Sequence, residues 1–247
     1  MPMAVNLNPA RQVDGWLARL GRALCPPRCP VCREAGSAAD GLCPDCAAAL
    51  PWNRTACRRC ALPLPEPAAG LAASGMVCGA CLARPPPLDE AHAAFVYGFP
   101  LDRLLPRFKF HHDLATGRLL AQWMARALAA TPRPEALIAV PLHRSRLRAR
   151  GYDQALELAR PLARALELEL LEGGLRRTRA TAPQSRLVAQ ARRGNLRGAF
   201  AASGRLPAHV ALVDDVMTTG ATLHAAARAL HRAGVGRVDA WVCARTP

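Results

Sequence analysis

The segment Val210-Ala211-Leu212-Val213-Asp214-Asp215-Val216-Met217-Thr218-Thr219-Gly220-Ala221-Thr222 constrains the fold more than any other part of the chain. Its four leading apolar residues predict a short buried strand. Two adjacent carboxylates follow directly, then a small hydroxyl-rich turn, then an Ala-rich helix pattern from about Leu223 to Ala233. That order belongs to an open α/β sheet, where ligands collect at the ends of strands and the starts of helices. The first amides of a helix have no internal partners and lie at the positive end of its dipole, so they suit an anion. Gly220 lets backbone approach a phosphate closely. Thr218, Thr219 and Thr222 add hydroxyl donors. Asp214 and Asp215 offer acceptors for vicinal hydroxyls or for hydrated Mg2+. The acid pair alone also fits a strand ending in a solvated turn, whereas the whole string points to a sugar phosphate. It is not a Walker A loop, which needs a second glycine followed by Lys and Ser/Thr.

A second module precedes this one. Cys29-x2-Cys32 is followed ten residues later by Cys43-x2-Cys46, and Cys57-x2-Cys60 seventeen residues later by Cys78-x2-Cys81. Each pair can place two thiolates on one tetrahedral ion, and two pairs complete a closed zinc site. The segment is rich in Pro and Gly and poor in large apolar residues, so it needs a staple. Disulfides are the alternative, but nothing marks the chain as secreted. Pairing within each half, Cys29/Cys32/Cys43/Cys46 and Cys57/Cys60/Cys78/Cys81, is the simplest arrangement, with crosswise sharing left open. Cys25 is surplus, and Cys243 reads as a small buried hydrophobe in a terminal strand. The expected layout is an amphipathic N-terminal helix within 1–24, a double zinc ribbon over 25–87 closed by Pro85-Pro86-Pro87, and an α/β domain over 88–247.

Within that last region, strands are expected at 93–97, 137–140, 168–171, about 174–178, 210–213 and 237–244. Helices are expected at 101–110, interrupted by Pro106, at 114–129, and from Gln154 to about Leu166. The strand at 137–140 runs into Pro141-Leu142-His143-Arg144, a basic turn fit for a pyrophosphate. Lys109 is the only lysine, against 32 arginines, which hints at a task for a compact ammonium. From Leu142 to Arg197 there are 13 arginines and five acids. The formal charge of the chain is +15, and two zinc ions on eight thiolates would bring it to about +11. A polyanionic partner is therefore expected. No apolar run is long enough for a membrane span, so no membrane insertion and a cytoplasmic location are expected.

The 210–222 string resembles the phosphoribosyl pyrophosphate (PRPP) signature of type I phosphoribosyltransferases. The order of motifs narrows the resemblance: a double zinc ribbon, Phe108-Lys109-Phe110, Val140-Pro141-Leu142-His143, Arg150-Gly151-Tyr152-Asp153-Gln154, Thr181-x2-Gln184, Arg192-Arg193-x-Asn195-Leu196-Arg197-x-Ala199-Phe200, then the PRPP loop. Over about residues 25 to 246 the chain resembles the ComF competence family.

The resemblance implies a type I phosphoribosyltransferase fold, a mostly parallel sheet flanked by helices. It implies that Asp214 and Asp215 hold ribose hydroxyls and that Val216, Met217, Thr218, Thr219, Gly220, Ala221 and Thr222 wrap the 5-phosphate. Pro141, Leu142, His143 and Gln184 would complete the PRPP site, and Lys109 and Arg144 would act with the acid pair in catalysis. Gly151 and Gln154 would support the turn, and Thr181, Arg193 and Asn195 would join Gln184 in a mobile hood. The chain departs from the family at Asp153, where Asn is usual, so Asp153 is not carried over as a direct ligand. The implied cofactors are two structural Zn2+ and Mg2+ with PRPP. The implied partners are PRPP, single-stranded DNA and proteins of the competence machinery. Two functional classes remain open: a Mg2+-dependent transferase acting on an unidentified acceptor, and a DNA-binding module with PRPP as effector. The aromatic content of 4% favours contact with a DNA backbone over base stacking.

Overall fold

The computed structural model describes residues 28–36, 41–66, 75–179 and 198–247. The chain forms two compact units, Met1–Ala48 and Ala49–Pro247. In the first, an isolated bridge between Arg28 and Ala35 closes the turn that carries Cys29 and Cys32. A one-turn helix α1 (Pro44–Ala48) buries Cys46.

The second unit is built on a parallel sheet. Strands β1 (Ala91–Val96), β2 (Ala136–Ala139), β3 (Glu169–Leu170), β6 (His209–Met217) and β7 (Arg237–Arg245) lie in the order β1-β7-β6-β2-β3. The short strands β4 (Leu175–Arg177) and β5 (Phe200–Ala202) form a separate antiparallel ribbon. The helices are α2 (Gly79–Ala83), α3 (Leu101–Phe110), α4 (Leu114–Leu128), α5 (Arg144–Arg150), α6 (Gln154–Ala165) and α7 (Ala221–Arg232). The helices α4 and α6 pack on each other, with α6 on β2 and β6, while α7 packs with β5, β6 and β7. The central strands are apolar because helices cover both faces of a parallel sheet. Val210, Ala211, Leu212 and Val213 of β6 and Val238, Ala240 and Val242 of β7 have no exposed surface.

The second cysteine quartet belongs to this same unit. The segment before it lies along the outer edge of β1, where Asn53 donates to the Ala94 carbonyl and Val96 to that of Pro51. Trp52 stacks on Phe95 at 4.5 Å between centroids, and Phe95 meets Trp123 of α4 edge-on at 6.0 Å. An edge strand covered in this way offers no free ladder to another chain.

Three local differences from the sequence reading have physical causes. The strand β6 does not stop at Val213 but runs through the acid pair to Met217, because β7 pairs with it as far as Met217↔Arg245. Helix α3 is continuous across Pro106, which forgoes only the amide that would bond to the Asp102 carbonyl. The arginines at 144–150 are helical, since His143 caps α5 through the Ser145 amide and Gly151, at φ 81°, closes its C-terminus. The N-terminal helix expected within 1–24, Cys25 and the hood residues 181–195 lie outside the described residues. Among the described residues no helix is long and apolar enough to cross a membrane.

The α3–α4 contact holds Lys109 in place. Gly117 of α4 lies under the Phe108 ring, and a Cβ there would come within 2.5 Å of it. Gly117→Ala should therefore destabilise the protein. Overpacking costs about 1–3 kcal/mol and exceeds the helix-propensity gain of about 1 kcal/mol. A denaturation midpoint equal to or above that of the wild type would contradict this packing.

Candidate functional site

The acid pair occupies an open strand edge. β2 pairs with β6 only to Ala139↔Val213, with one further bond from the Val140 amide to the Val213 carbonyl. Beyond that point β6 continues alone on this side, and Pro141-Leu142-His143 turns away beside it into α5. The β6–α7 connection leads to β7 on one side of β6, whereas β2 and β3 lie on the other. The gap between β6 and β2 is thus a topological switch point at the C-terminal edge of the sheet.

Two carboxylates in one strand face opposite ways. Lys109 of α3 reaches Asp215 with Nζ at 2.9 Å from Oδ2. On the other face, Arg177 of β4 interacts electrostatically with Asp214, with its guanidinium over the Phe200 ring at 5.3 Å. The next amides bond these side chains: Asp215 N donates to Asp214 Oδ1 at 2.8 Å, and Val216 N to Asp215 Oδ1 at 2.6 Å.

Burial pushes the Asp214 carboxyl up to about 8, and the neighbouring Asp215 charge adds to the rise. Burial works against the Lys109 ammonium, but Asp215 and Asp214 outweigh it and hold its pKa above the usual value. Burial also lowers the charge affinity of Arg177, reinforced by Arg146 and opposed by Asp214. The site is therefore a charge cluster in which Asp214 awaits a cation or a hydroxyl donor. The paired carboxylates supply the oxygen donors that Mg2+ takes.

The turn after β6 has the anion-binding form. Thr218 and Thr219 are exposed, and Gly220 is a left-handed N-cap at φ 73°, with no side chain capping α7. The first turn of this 12-residue helix lies at the positive end of its dipole, which suits an anion. Glycine is required at this cap. A Cβ at Gly220 would lie 2.6 Å from Met217 Cε and 2.9 Å from His224 Nε2.

The predicted residues fall as follows. Asp214, Asp215 and Lys109 are brought together, and Thr218 to Thr222 form the adjoining turn and helix start. Val216 and Met217 are strand residues, and the buried Met217 side chain packs beneath Gly220 of the turn. Pro141, Leu142 and His143 line the β2 side, and Arg144 is exposed at the start of α5. Gln184 lies outside the described residues.

Asp153, not carried over as a ligand, caps and tethers instead. Oδ1 caps α6 through the Ala155 and Leu156 amides, and Oδ2 takes the Leu142 amide at 2.9 Å. It ties the β2 loop to α6, and burial raises its pKa despite those three amides. Residues not foreseen at the site are Arg177, His224 and Arg245. Burial drives the His224 imidazole down to about 4, helped by Arg228 and Arg245. His224 stands four residues after Gly220, so helical spacing could have found it. Nothing local singles out the other two.

The cysteines assemble as two quartets, Cys29/Cys32/Cys43/Cys46 and Cys57/Cys60/Cys78/Cys81, each with all ligand atoms within 4.8 Å of one another. Pairing is within each half, not crosswise. Backbone amides aim at the sulfurs, as with Cys78 N to Cys57 Sγ at 3.2 Å. Burial opposes ionisation of Cys57, but the amides of Cys78, Arg59 and Cys60 outweigh it and lower the thiol to about 7. Four sulfurs on amide-lined knuckles fit tetrahedral Zn2+. Cys243 is buried in β7, as expected.

The Double zinc ribbon domain family model matches residues 20–91. DNA utilization protein YhgH of Escherichia coli O157:H7 is 34% identical over 216 residues, covering 83% of this chain and 91% of its own. Competence protein F of Haemophilus influenzae is 38% identical over 178 residues, or 68% and 78% of the two chains. Competence protein ComFC of Streptococcus pneumoniae is 29% identical over 155 residues, 62% and 67% of the two.

Because the Asp214 carboxyl is raised to about 8 from 3.8, its contribution to stability is full below about pH 4 and is lost as pH rises through about 8. The ligand-free protein should lose stability over that window, at up to about 1.4 kcal/mol per pH unit for one proton. Asp214→Asn should flatten this slope in urea titrations at pH 5, 6.5 and 8. An unchanged slope would show that Asp214 does not titrate there. Elemental analysis should find two zinc ions per chain, and one in Cys57→Ser or Cys29→Ser.

Proposed function

The chain belongs to the ComF family, and from that premise we propose that it binds PRPP with Mg2+ at the acid-pair edge and serves DNA uptake in natural transformation through binding of single-stranded DNA. The names of its relatives, competence and DNA utilization proteins, support the biological role. The observation that carries the ligand is the acid pair on an unpaired strand edge, directly before an uncapped helix N-terminus.

In this reading Asp214 and Asp215 accept the two ribose hydroxyls, and the Thr218–Thr222 turn takes the 5-phosphate on its amides and hydroxyls. The loop Pro141–Arg144 faces the pyrophosphate, and Lys109 is the nearest cation for its charge. Lys109 must then exchange part of its contact with Asp215 for the ligand, which a single flexible ammonium can do and a bidentate guanidinium does less easily. Mg2+ supplies charge neutralisation on the phosphates. DNA contact would be led by phosphates, through the arginine-dense region and exposed residues such as Arg144 and Arg148.

Lys109 beside the acid pair and Arg144 at the start of α5 also suit an actual transfer of the phosphoribosyl group to an unidentified base, by stabilising departing pyrophosphate. Release of pyrophosphate over a panel of acceptors separates that activity from binding alone.

Titration calorimetry with PRPP and Mg2+ should give a binding isotherm that Asp214→Asn/Asp215→Asn abolishes, with zinc content and circular dichroism unchanged. Unaltered PRPP affinity in the double variant would refute the site. Affinity for single-stranded DNA should fall steeply between about 50 and 200 mM salt, and salt-independent binding would reject a phosphate-led contact.

A further inference from the structure

One guanidinium touches both the second cysteine quartet and the end of β6. Arg245, the last residue of β7, donates from Nε to the Cys60 carbonyl at 2.9 Å. Its Nη1 donates to the Met217 carbonyl at 3.3 Å, and also to the Thr246 carbonyl. The Thr246 amide donates to the same Met217 oxygen at 3.1 Å. Met217 immediately precedes Thr218-Thr219-Gly220, and its side chain lies under Gly220. Cys60 Sγ is 3.8 Å from Cys78 Sγ within its quartet. The Cys60 carbonyl and the root of the Thr218–Thr222 turn are thus set by two arms of one planar group.

We infer that Arg245 is a positioning residue that couples the Cys57/Cys60/Cys78/Cys81 centre to the Thr218–Thr222 turn, so that metal at the one and anion at the other stabilise each other. The inference rests on the reading of that turn as the PRPP phosphate site. The coupling has a simple origin. The guanidinium fork is rigid, so a shift of Cys60 cannot be absorbed by one arm without moving the other. A carbonyl left without its charged donor loses a strong hydrogen bond. A metal holds Cys60 still and with it the Met217 carbonyl, keeping the turn in the form whose amides face a ligand. By linkage, an anion that orders the turn must hold the metal more tightly in return. Lysine at 245 would keep the charge but could not bridge the two carbonyls in a fixed plane. The Cys29 quartet, in the other unit, provides an internal reference.

The test follows zinc release from the full-length, zinc-loaded protein into a zinc-selective chelator that leaves Mg2+ in place, with and without Mg2+–PRPP. Cys29→Ser assigns the phase belonging to the second centre. PRPP should slow that phase at least fivefold, within the usual range of couplings, and leave the other phase unchanged. In Arg245→Lys, loaded with two zinc ions, the slowing should vanish, and PRPP affinity measured by calorimetry should fall about tenfold, the size expected for losing one charged hydrogen bond. PRPP binding that leaves both zinc phases of the wild type unchanged overturns the coupling, and so does full slowing in Arg245→Lys. Should that variant misfold, the wild-type comparison alone still decides. Absence of PRPP binding to the wild type overturns the ligand assignment instead, and the coupling falls with it.

Discussion

The extension of β6 beyond β2 is the constraint on which the site depends. While β6 is paired on both sides, its side chains are core and its amides belong to the ladder. Past Val213 the β2 side opens, and β7 alone holds the strand straight to Met217. The acid pair sits on this four-residue overhang. Asp215 and Val216 amides find partners in the carboxylates just before them, which folds those carboxylates back along the strand. The same overhang carries the chain to Gly220, where a left-handed residue starts α7 without a side-chain cap. An open edge that carries both acids and leads directly into a left-handed helix start is the consequence of unequal strand length.

The electrostatics follow from that geometry. Strand alternation separates the two carboxylates: Lys109 pairs with Asp215 and also acts on Asp214, which interacts with Arg177 as well. Of the two, Asp215 is the one in a close ion pair with a described residue, and burial leaves Asp214 with a strongly raised pKa. Asp153 is held by three amides that use it as a cap and tether, close enough to the acid pair for its charge to act on Asp214. Its carboxylate is thereby put to structural use beside the acid pair. Lys109 itself depends on a helix whose Phe108 is seated on a glycine.

Metal knuckles and sheet are not independent modules throughout. The second quartet lies in the unit of the sheet, joined to β1 by backbone bonds and to β7 by Arg245. A segment too poor in apolar residues to fold by burial can still be ordered by a metal at one end and a strand edge at the other. Its position at the edge of β1 also protects that strand from pairing elsewhere.

Much of this was legible from residues 29–81 and 210–222. Cysteine spacing determines ligand sets directly, since two thiolates two residues apart can reach one ion, and the structure then chose pairing within each half over crosswise sharing. The apolar run, the acids, Gly220 and the Ala-rich helix determined a parallel α/β site, because period, backbone freedom and helix dipole act over a few residues. What the tertiary structure alone decided is whatever depends on distant partners. The length of β6 was set by β7 and the role of Asp153 by the Leu142 amide, whereas the helical state of Arg144–Arg150 comes from its immediate neighbours His143 and Gly151, a local signal that the sequence reading passed over. The nearness of Lys109 to Asp215, and of Arg245 to both Cys60 and Met217, spans over a hundred residues in the first case and 185 and 28 in the second. No local pattern encodes such contacts, because they arise only when strand order and helix packing bring those residues to one edge of the sheet.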